Sequence, residues 1–343
     1  MARPLVTAGG SVNSAPLVVI DLSTDEGVTG SSYVFCYTPL ALKPVAGLIE
    51  GLSETLRGQA LAPYDIERQL QQRFRLLGAQ GLTAMAMAAI DMASWDALAK
   101  SAGLPLVRLL GAEPKPIPAY NSCGLGLIGI ERAAAEAREL APGYSAIKVR
   151  LGFKEAETDA AVLRAVRRAV GDDVLLMTDY NQGLQTHEAI RRAHMLDKEN
   201  VYWIEEPVFA FDYNGHAAVA RESRTPVQLG ENWWGTSDMS KSLAAEASDF
   251  VMPDAAKIGG VTGWLRAAAL AESRGLPLSS HLYPEISAHL LAVTPTCHWL
   301  EYVDWANPLL LHPVEVMEGT VTASQRPGIG VEWDEDAVAR YSV

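Results

Sequence analysis

Four hydrophobic segments of the sequence run into a carboxylate. VLLMTD ends on Asp179, VYWIE on Glu205, VQLGE on Glu231 and FVMPD on Asp254, so the acids are spaced 26, 26 and 23 residues apart. That interval is about one strand plus one helix. In a parallel barrel the C-terminal ends of successive strands open into one mouth, so Asp179, Glu205 and Glu231 are expected there side by side. Three such anions repel unless a cation neutralises them, and an all-oxygen donor set suits Mg²⁺ better than Zn²⁺. A single acid at such a position is more simply a helix N-cap; three in register favour a metal. Asn181 and Gln182 add neutral donors at the same rim.

Further along, His281 ends a seventh apolar segment next to the one that ends on Asp254. An imidazole facing a carboxylate on the neighbouring strand is fixed in one tautomer and made more basic, which is the arrangement of a general base. Glu301 ends the last segment and is a candidate neutral acid that hydrogen-bonds a developing enolate oxygen. On the other side of the ladder, Lys148 and Arg150 stand two residues apart in AIKVR and so share one face of a strand. An inward pair of cations beside a metal site implies an anionic ligand, here a carboxylate.

These side chains need a scaffold of repeated strand and helix. Segments ending at Asn121, Arg150, Asp179, Glu205, Glu231, Asp254, His281 and Glu301 alternate with amphipathic stretches such as Glu157 to Val170, His187 to Leu196 and Thr262 to Ser273. A parallel barrel is the first expectation and an open doubly wound sheet the second; no GxGxxG follows the first strand, which disfavours a dinucleotide site. Before the barrel, Ala15 to Leu22 and Thr29 to Tyr37 read as a strand pair around an Asp-Glu-Gly turn. Helices are expected over Leu40 to Leu56 and Ile66 to Leu77. The run Thr83 to Ala99 is apolar nearly all round and should be a buried helix. Gly111 to Pro118 carries three prolines in eight residues and reads as a linker. The expected units are therefore residues 1–112, 113–306 and a tail, 307–343.

A chain of 343 residues, 49% of them hydrophobic, is large enough to bury two cores. Its net charge of −13 argues against nucleic acid or an anionic membrane as partner. The three cysteines, Cys36, Cys123 and Cys297, are too scattered for a thiolate metal site or a disulfide framework. No apolar run reaches membrane-spanning length and no secretory h-region opens the chain, so a cytoplasmic protein is expected.

The sequence resembles the enolase superfamily, and within it the mandelate racemase/muconate lactonizing enzyme family. The resemblance rests on TDYNQ (Thr178 to Gln182), WIEEP (Trp203 to Pro207), GENWWG (Gly230 to Gly235), PDAAKIGGVTGW (Pro253 to Trp264), SSHLYPEISAHLLA (Ser279 to Ala292) and HWLEY (His298 to Tyr302). It implies a (β/α)7β TIM-like barrel under an N-terminal α+β capping domain, with the last segment returning to the cap. It also implies Asp179, Glu205 and Glu231 as Mg²⁺ ligands and His281, paired with Asp254, as a base. Glu301 would be the acid on the substrate carboxylate, Lys148 its neutralising cation, and Asn181 a contact of the α-substituent. Phe35, Tyr37, Leu282 and Val303 would supply apolar substrate contacts, with Ser122 among the binding residues. Octamers are common among such relatives, so a homo-oligomer is expected.

Two departures from the family pattern bear on function. Relatives of this branch usually carry Lys-x-Lys on the second barrel strand, the second lysine being the base opposite His281; here that place is taken by Arg150. A guanidinium keeps its proton where an amine can give it up. The chain also begins about where the family's capping loop lies, so the usual first strand of the cap is expected to be missing. With an apolar pocket, racemisation of a 2-hydroxy acid, as in mandelate, is the leading expectation. Dehydration of an acid sugar by His281 alone is the alternative, and a non-catalytic carboxylate-binding protein is a distant third.

Overall fold

The computed structural model describes residue 1 and residues 3–343. It opens with a small antiparallel hairpin, β1 (Leu5–Thr7) and β2 (Gly10–Val12). A second antiparallel pair follows, β3 (Leu17–Ser23) and β4 (Thr29–Phe35), registered from Leu17 against Phe35 to Ser23 against Thr29. Then come α1 (Leu42–Leu56), α2 (Pro63–Arg73), α3 (Leu82–Ser101) and the short α4 (Leu106–Leu109). As its composition implies, α3 is buried along nearly its whole length. It lies against β4 so closely that a methyl group at Gly30 would collide with the backbone of Ala93 and Ala97.

The barrel is built from β5 (Ile117–Asn121), β6 (Ala146–Arg150), β7 (Leu175–Asp179), β8 (Ile204–Glu205), β9 (Val227–Leu229), β10 (Phe250–Val251) and β11 (Leu300–Tyr302). Neighbours from β5 to β10 are parallel, and β11 closes the ring on β5. Helices alternate with them: α5 (Ile130–Leu140), α6 (Ala156–Val170), α7 (Thr186–Leu196), α8 (Tyr213–Glu222), α9 (Gly235–Ala244), α10 (Ala255–Ile258), α11 (Gly260–Arg274) and α12 (Pro284–Val293). The fold is thus a (β/α)7β barrel with an N-terminal α+β domain.

Three expected strand ends differ in detail. Glu231 and Asp254 stand two and three residues beyond the last residues of β9 and β10, and Glu301 lies in the middle of β11. The strand expected to end at His281 is reduced to single bridges, Val251 to Leu278, Asp254 to His281 and Leu278 to Cys297. The cause is local. Gly230 turns the chain with φ 142°, and a side chain there would meet Trp233; Asp254 already belongs to the next helix as the N-cap of α10. The seventh position still completes the ring, since Ser279 N–H reaches Val251 O and Ser280 N–H reaches Trp299 O, at 2.8 and 2.9 Å.

The cap is fastened to the barrel through buried polar joints. Asp91 of α3 accepts from the backbone N–H (3.0 Å) and hydroxyl (2.5 Å) of Thr262 in α11. The tail adds β12 (Thr320–Val321), antiparallel to β5, and α13 (Glu335–Tyr341). It reaches the cap where Asp96 accepts from both Ser31 N–H and Ile329 N–H, at 2.7 and 2.6 Å. Among the described residues no helix is long and apolar enough to cross a membrane.

Candidate metal centre and acid–base site

The barrel mouth and the cap enclose a cavity of about 580 Å³, lined among others by Phe35, Tyr37, Lys148, Arg150, Asp179, Asn181, Glu231, His281, Leu282 and Glu301. The hairpin β1–β2 forms its roof, contributing Leu5, Thr7 and Val12. Carboxylate oxygens of Asp179, Glu205 and Glu231 lie within 4.8 Å of one another. All three are buried or nearly so, and burial pushes Glu205 up to about 8 although Lys148 pulls it down. Buried carboxylates converging on one point, with no sulfur or imidazole among the three, suit a hard divalent cation.

Lys148, on the strand beside Asp179, joins the cluster to Glu301. Its ammonium is 2.7 Å from Glu205 Oε1, 2.7 Å from Glu301 Oε1 and 3.5 Å from Asp179 Oδ2. Burial disfavours its charge, but these three carboxylates raise its pKa above the ordinary lysine value. Asn181 takes a left-handed backbone (φ 43°) that folds it back on Asp179, its N–H 2.7 Å from Oδ1 and its amide 2.9 Å from Oδ2. Asn181 thus braces Asp179 as well as lining the cavity.

His281 Nδ1 is 2.7 Å from Asp254 Oδ2, while Nε2 faces Glu231 Oε2 at 3.3 Å. Asp254 serves two masters: its Oδ1 caps α10, accepting from Ala256 and Lys257 N–H at 2.8 and 3.0 Å. One carboxylate thus both caps α10 and holds the imidazole. Burial works against the imidazolium, but Glu231, Glu301 and Asp254 outweigh it and lift His281 to about 9.

Glu301 differs from the neutral acid expected. Burial favours the neutral form, yet Lys148, His281 and the N–H of Leu282 hold its carboxyl well below the usual range. Ser122 Oγ donates to Oε1 at 2.7 Å and Leu282 N–H to Oε2 at 2.9 Å. Ser122 therefore acts on Glu301 and does not line the cavity. Val303, expected at the substrate, is 4% exposed and packs in the core between barrel and cap. Trp305 takes a place in the lining instead, its ring 4.9 Å from that of Phe35.

Arg150 is pinned. Its Nη1 donates to the carbonyls of Ser122 (3.1 Å) and Gly124 (2.5 Å), and Nη2 to Ser122 Oγ (2.8 Å). Both terminal nitrogens of the guanidinium are thus tied to the loop after β5, Nε is buried without a partner among the described residues, and the side chain at this place is no amine. Sequence reasoning passed over several residues of the site: the hairpin, Trp305, and the trio Glu206, Asn232 and Lys257. The last three sit inside quoted motifs, but nothing in their spacing separates them from packing residues.

A (β/α)7β barrel holding a carboxylate cluster and a His–Asp pair under an α+β cap defines a class of metal-assisted enzymes. The chain belongs to the mandelate racemase/muconate lactonizing enzyme family of the enolase superfamily: residues 1–111 match its N-terminal domain and residues 132–337 the family described as enolase C-terminal domain-like. An enolase from Bradyrhizobium, solved with magnesium and mandelic acid, is 47% identical over 100% of this chain and 95% of its own, with a TM-score of 0.96. L-Talarate dehydratase from Polaromonas sp. JS666, solved with Mg and L-glucarate, is 30% identical over 98% of this chain and 94% of its own, with a TM-score of 0.89. L-Talarate/galactarate dehydratase of Salmonella typhimurium is 37% identical over 76% of this chain, a match that spans 66% of that enzyme. Magnesium is the cation in the first two of these relatives, and the all-carboxylate cluster here offers it a fitting set of donors.

Proposed function

We propose that the protein is a one-base hydro-lyase: His281 removes the α-proton of a 2-hydroxy carboxylic acid, and a β-hydroxyl then leaves. Asp179, Glu205 and Glu231 would hold the Mg²⁺, which supplies positive charge to the substrate carboxylate and lowers the cost of its enolic form. Lys148 would neutralise the same carboxylate, and ionised Glu301, 2.7 Å from its ammonium, holds it in place there. His281 Nε2 takes the α-proton while Asp254 steadies the imidazolium through Nδ1. Electrons of the broken C–H bond form the C2=C3 bond as the C3–O bond breaks. The departing hydroxide takes a proton from His281 and leaves as water, and the enol becomes a 2-oxo acid.

The observation that carries this reading is Arg150, bonded three ways to the β5 loop. A guanidinium is a poor base, so the position on β6 offers no second base opposite His281. With His281 alone, reprotonation returns the starting enantiomer and nothing is gained. Elimination is the way such a site accomplishes net chemistry. The test is incubation with Mg²⁺ and a panel of 2,3-dihydroxy acids, acid sugars and 3-aryl analogues included, with detection of 2-oxo acid. Product that forms with the native protein and is lost in His281→Asn supports the proposal. No product from any member sinks it.

Racemisation is the second reading. It is favoured by the aromatic wall of Phe35, Tyr37 and Trp305 and by the mandelic acid held in the Bradyrhizobium relative.

A further inference from the structure

Lys257 and Asn232 take no part in the proton transfer, yet they meet beside the carboxylates. Lys257 is 4% exposed, and its Nζ lies 2.7 Å from Asn232 Oδ1. The ring of Tyr37, from the cap, covers the ammonium with its centroid 4.2 Å away, and Trp234 stands at 5.8 Å. An ammonium has only hydrogens to offer, so it selects the oxygen of the amide. The amide NH₂ must then face the other way, where Nδ2 is 2.7 Å from Glu206 Oε2 and 3.1 Å from Glu231 Oε1. Flipped, the amide would set oxygen against two carboxylates and NH₂ against an ammonium.

Glu206 depends on this arrangement. It is buried, takes a left-handed φ of 36°, and among the described residues its Oε1 has no hydrogen-bond partner. Left-handed backbone at a non-glycine residue costs energy and needs surroundings that enforce it. The amide of Asn232 holds the side chain of Glu206 through Oε2, and the same NH₂ group reaches Glu231.

We propose that Lys257 and Asn232 are positioning residues of the metal centre. Lys257 sets the Asn232 amide, and the amide's NH₂ group, shared between Glu206 and Glu231, holds Glu231 in the rotamer that reaches the cation shared with Asp179 and Glu205. Tyr37 of the cap closes over this strut. The proposal rests on the reading of those three acids as ligands. Its sign separates it from simple electrostatics: deleting a nearby positive charge would tighten Mg²⁺ binding, whereas deleting a strut weakens it.

Titration calorimetry of Mg²⁺ without substrate tests it on the native chain and on Glu231→Ala, Asn232→Ala, Lys257→Met, Lys257→Arg and the Asn232→Ala/Lys257→Met double variant. Outer-shell partners typically change metal affinity by roughly 10–100-fold. Lys257→Met and Asn232→Ala should each weaken binding by at least roughly tenfold, and the double variant no more than the worse single. Lys257→Arg, which keeps the donor, should recover most of the loss. Melting curves establish folding; should Lys257→Met not fold, Asn232→Ala and Lys257→Arg carry the comparison. Unchanged or tighter binding in folded Lys257→Met or Asn232→Ala overturns the proposal, as do additive losses. A native protein that binds no Mg²⁺, or Glu231→Ala that binds normally, overturns the ligand assignment itself.

Discussion

His281 lies between two carboxylates with different duties. Asp254 holds Nδ1 at 2.7 Å, and Glu231 faces Nε2, the nitrogen that must be free to take a proton, at 3.3 Å. With His281 lifted to about 9, its neutral form grows as pH rises toward that value. The magnesium-free protein should therefore show an imidazole titrating near 9 by NMR, and Glu231→Gln, which removes the largest upward pull, should lower it. A titration unmoved by that substitution would contradict the assignment of cause. Loss of the proposed base, in His281→Asn, should cost roughly 10²–10⁴-fold in α-proton exchange. Arg150→Lys works in the other direction. It releases the Ser122 and Gly124 carbonyls and introduces an amine opposite His281, so exchange of the enantiomer facing β6 should appear where the native protein shows none. Chiral chromatography after incubation in D₂O measures it.

At the scale of elements, the hairpin β1–β2 is seated on the barrel loops. Leu127 N–H donates to Val6 O at 2.7 Å, and a side chain at Gly152 would come within 2.7 Å of the Ala8 methyl; one at Gly183 would clash with it outright. Gly183→Val should lift the hairpin, raising KM severalfold and speeding hydrogen exchange over residues 5–12 while leaving the barrel protected. Equal exchange in both proteins would show that the hairpin does not rest there. The parallel strands and the buried α3 were legible in the sequence because their signal is a period of apolar residues that barrel and cap packing both demand. The carboxylates were legible because strand ends coincide with the barrel mouth. The hairpin was not, since VTAGGSV has too few apolar residues to mark a strand. Nor was the withdrawal of Val303 into the core, which depends on how the tail packs and not on local pattern.

Over the whole molecule, cap, barrel and tail are joined by buried polar groups that must keep one protonation state. His289 Nδ1 accepts from Val107 N–H of α4 at 3.1 Å, and its Nε2 faces Ile329 O of the tail at 3.3 Å. Only the neutral ring with its proton on Nε2 satisfies both. Burial pushes His289, His216 and His298 each down to about 4. An unfolded histidine titrates near 6.5, so between about 6.5 and 4 the unfolded chain binds more protons than the native one. These three rings therefore weaken the fold as pH drops through that window, each taking up to about one proton on unfolding, whereas buried Asp91 and Glu205, raised to about 7 and about 8, act in the opposite sense. Urea melts at a series of pH values measure the slope, and His298→Gln should make it shallower by about one proton. A slope that His298→Gln leaves unchanged would mean that this ring is not held neutral.

The central claim, proton abstraction from one face only, is tested most directly by ¹H NMR of (R)- and (S)-mandelate incubated separately with the protein, Mg²⁺ and D₂O. Mandelate has no β-leaving group, so it isolates the exchange step. The α-proton of one enantiomer should be replaced by deuterium with its configuration kept, and the other enantiomer should be unchanged. Exchange of both, with decay of optical rotation, would contradict the one-base site and make the protein a racemase.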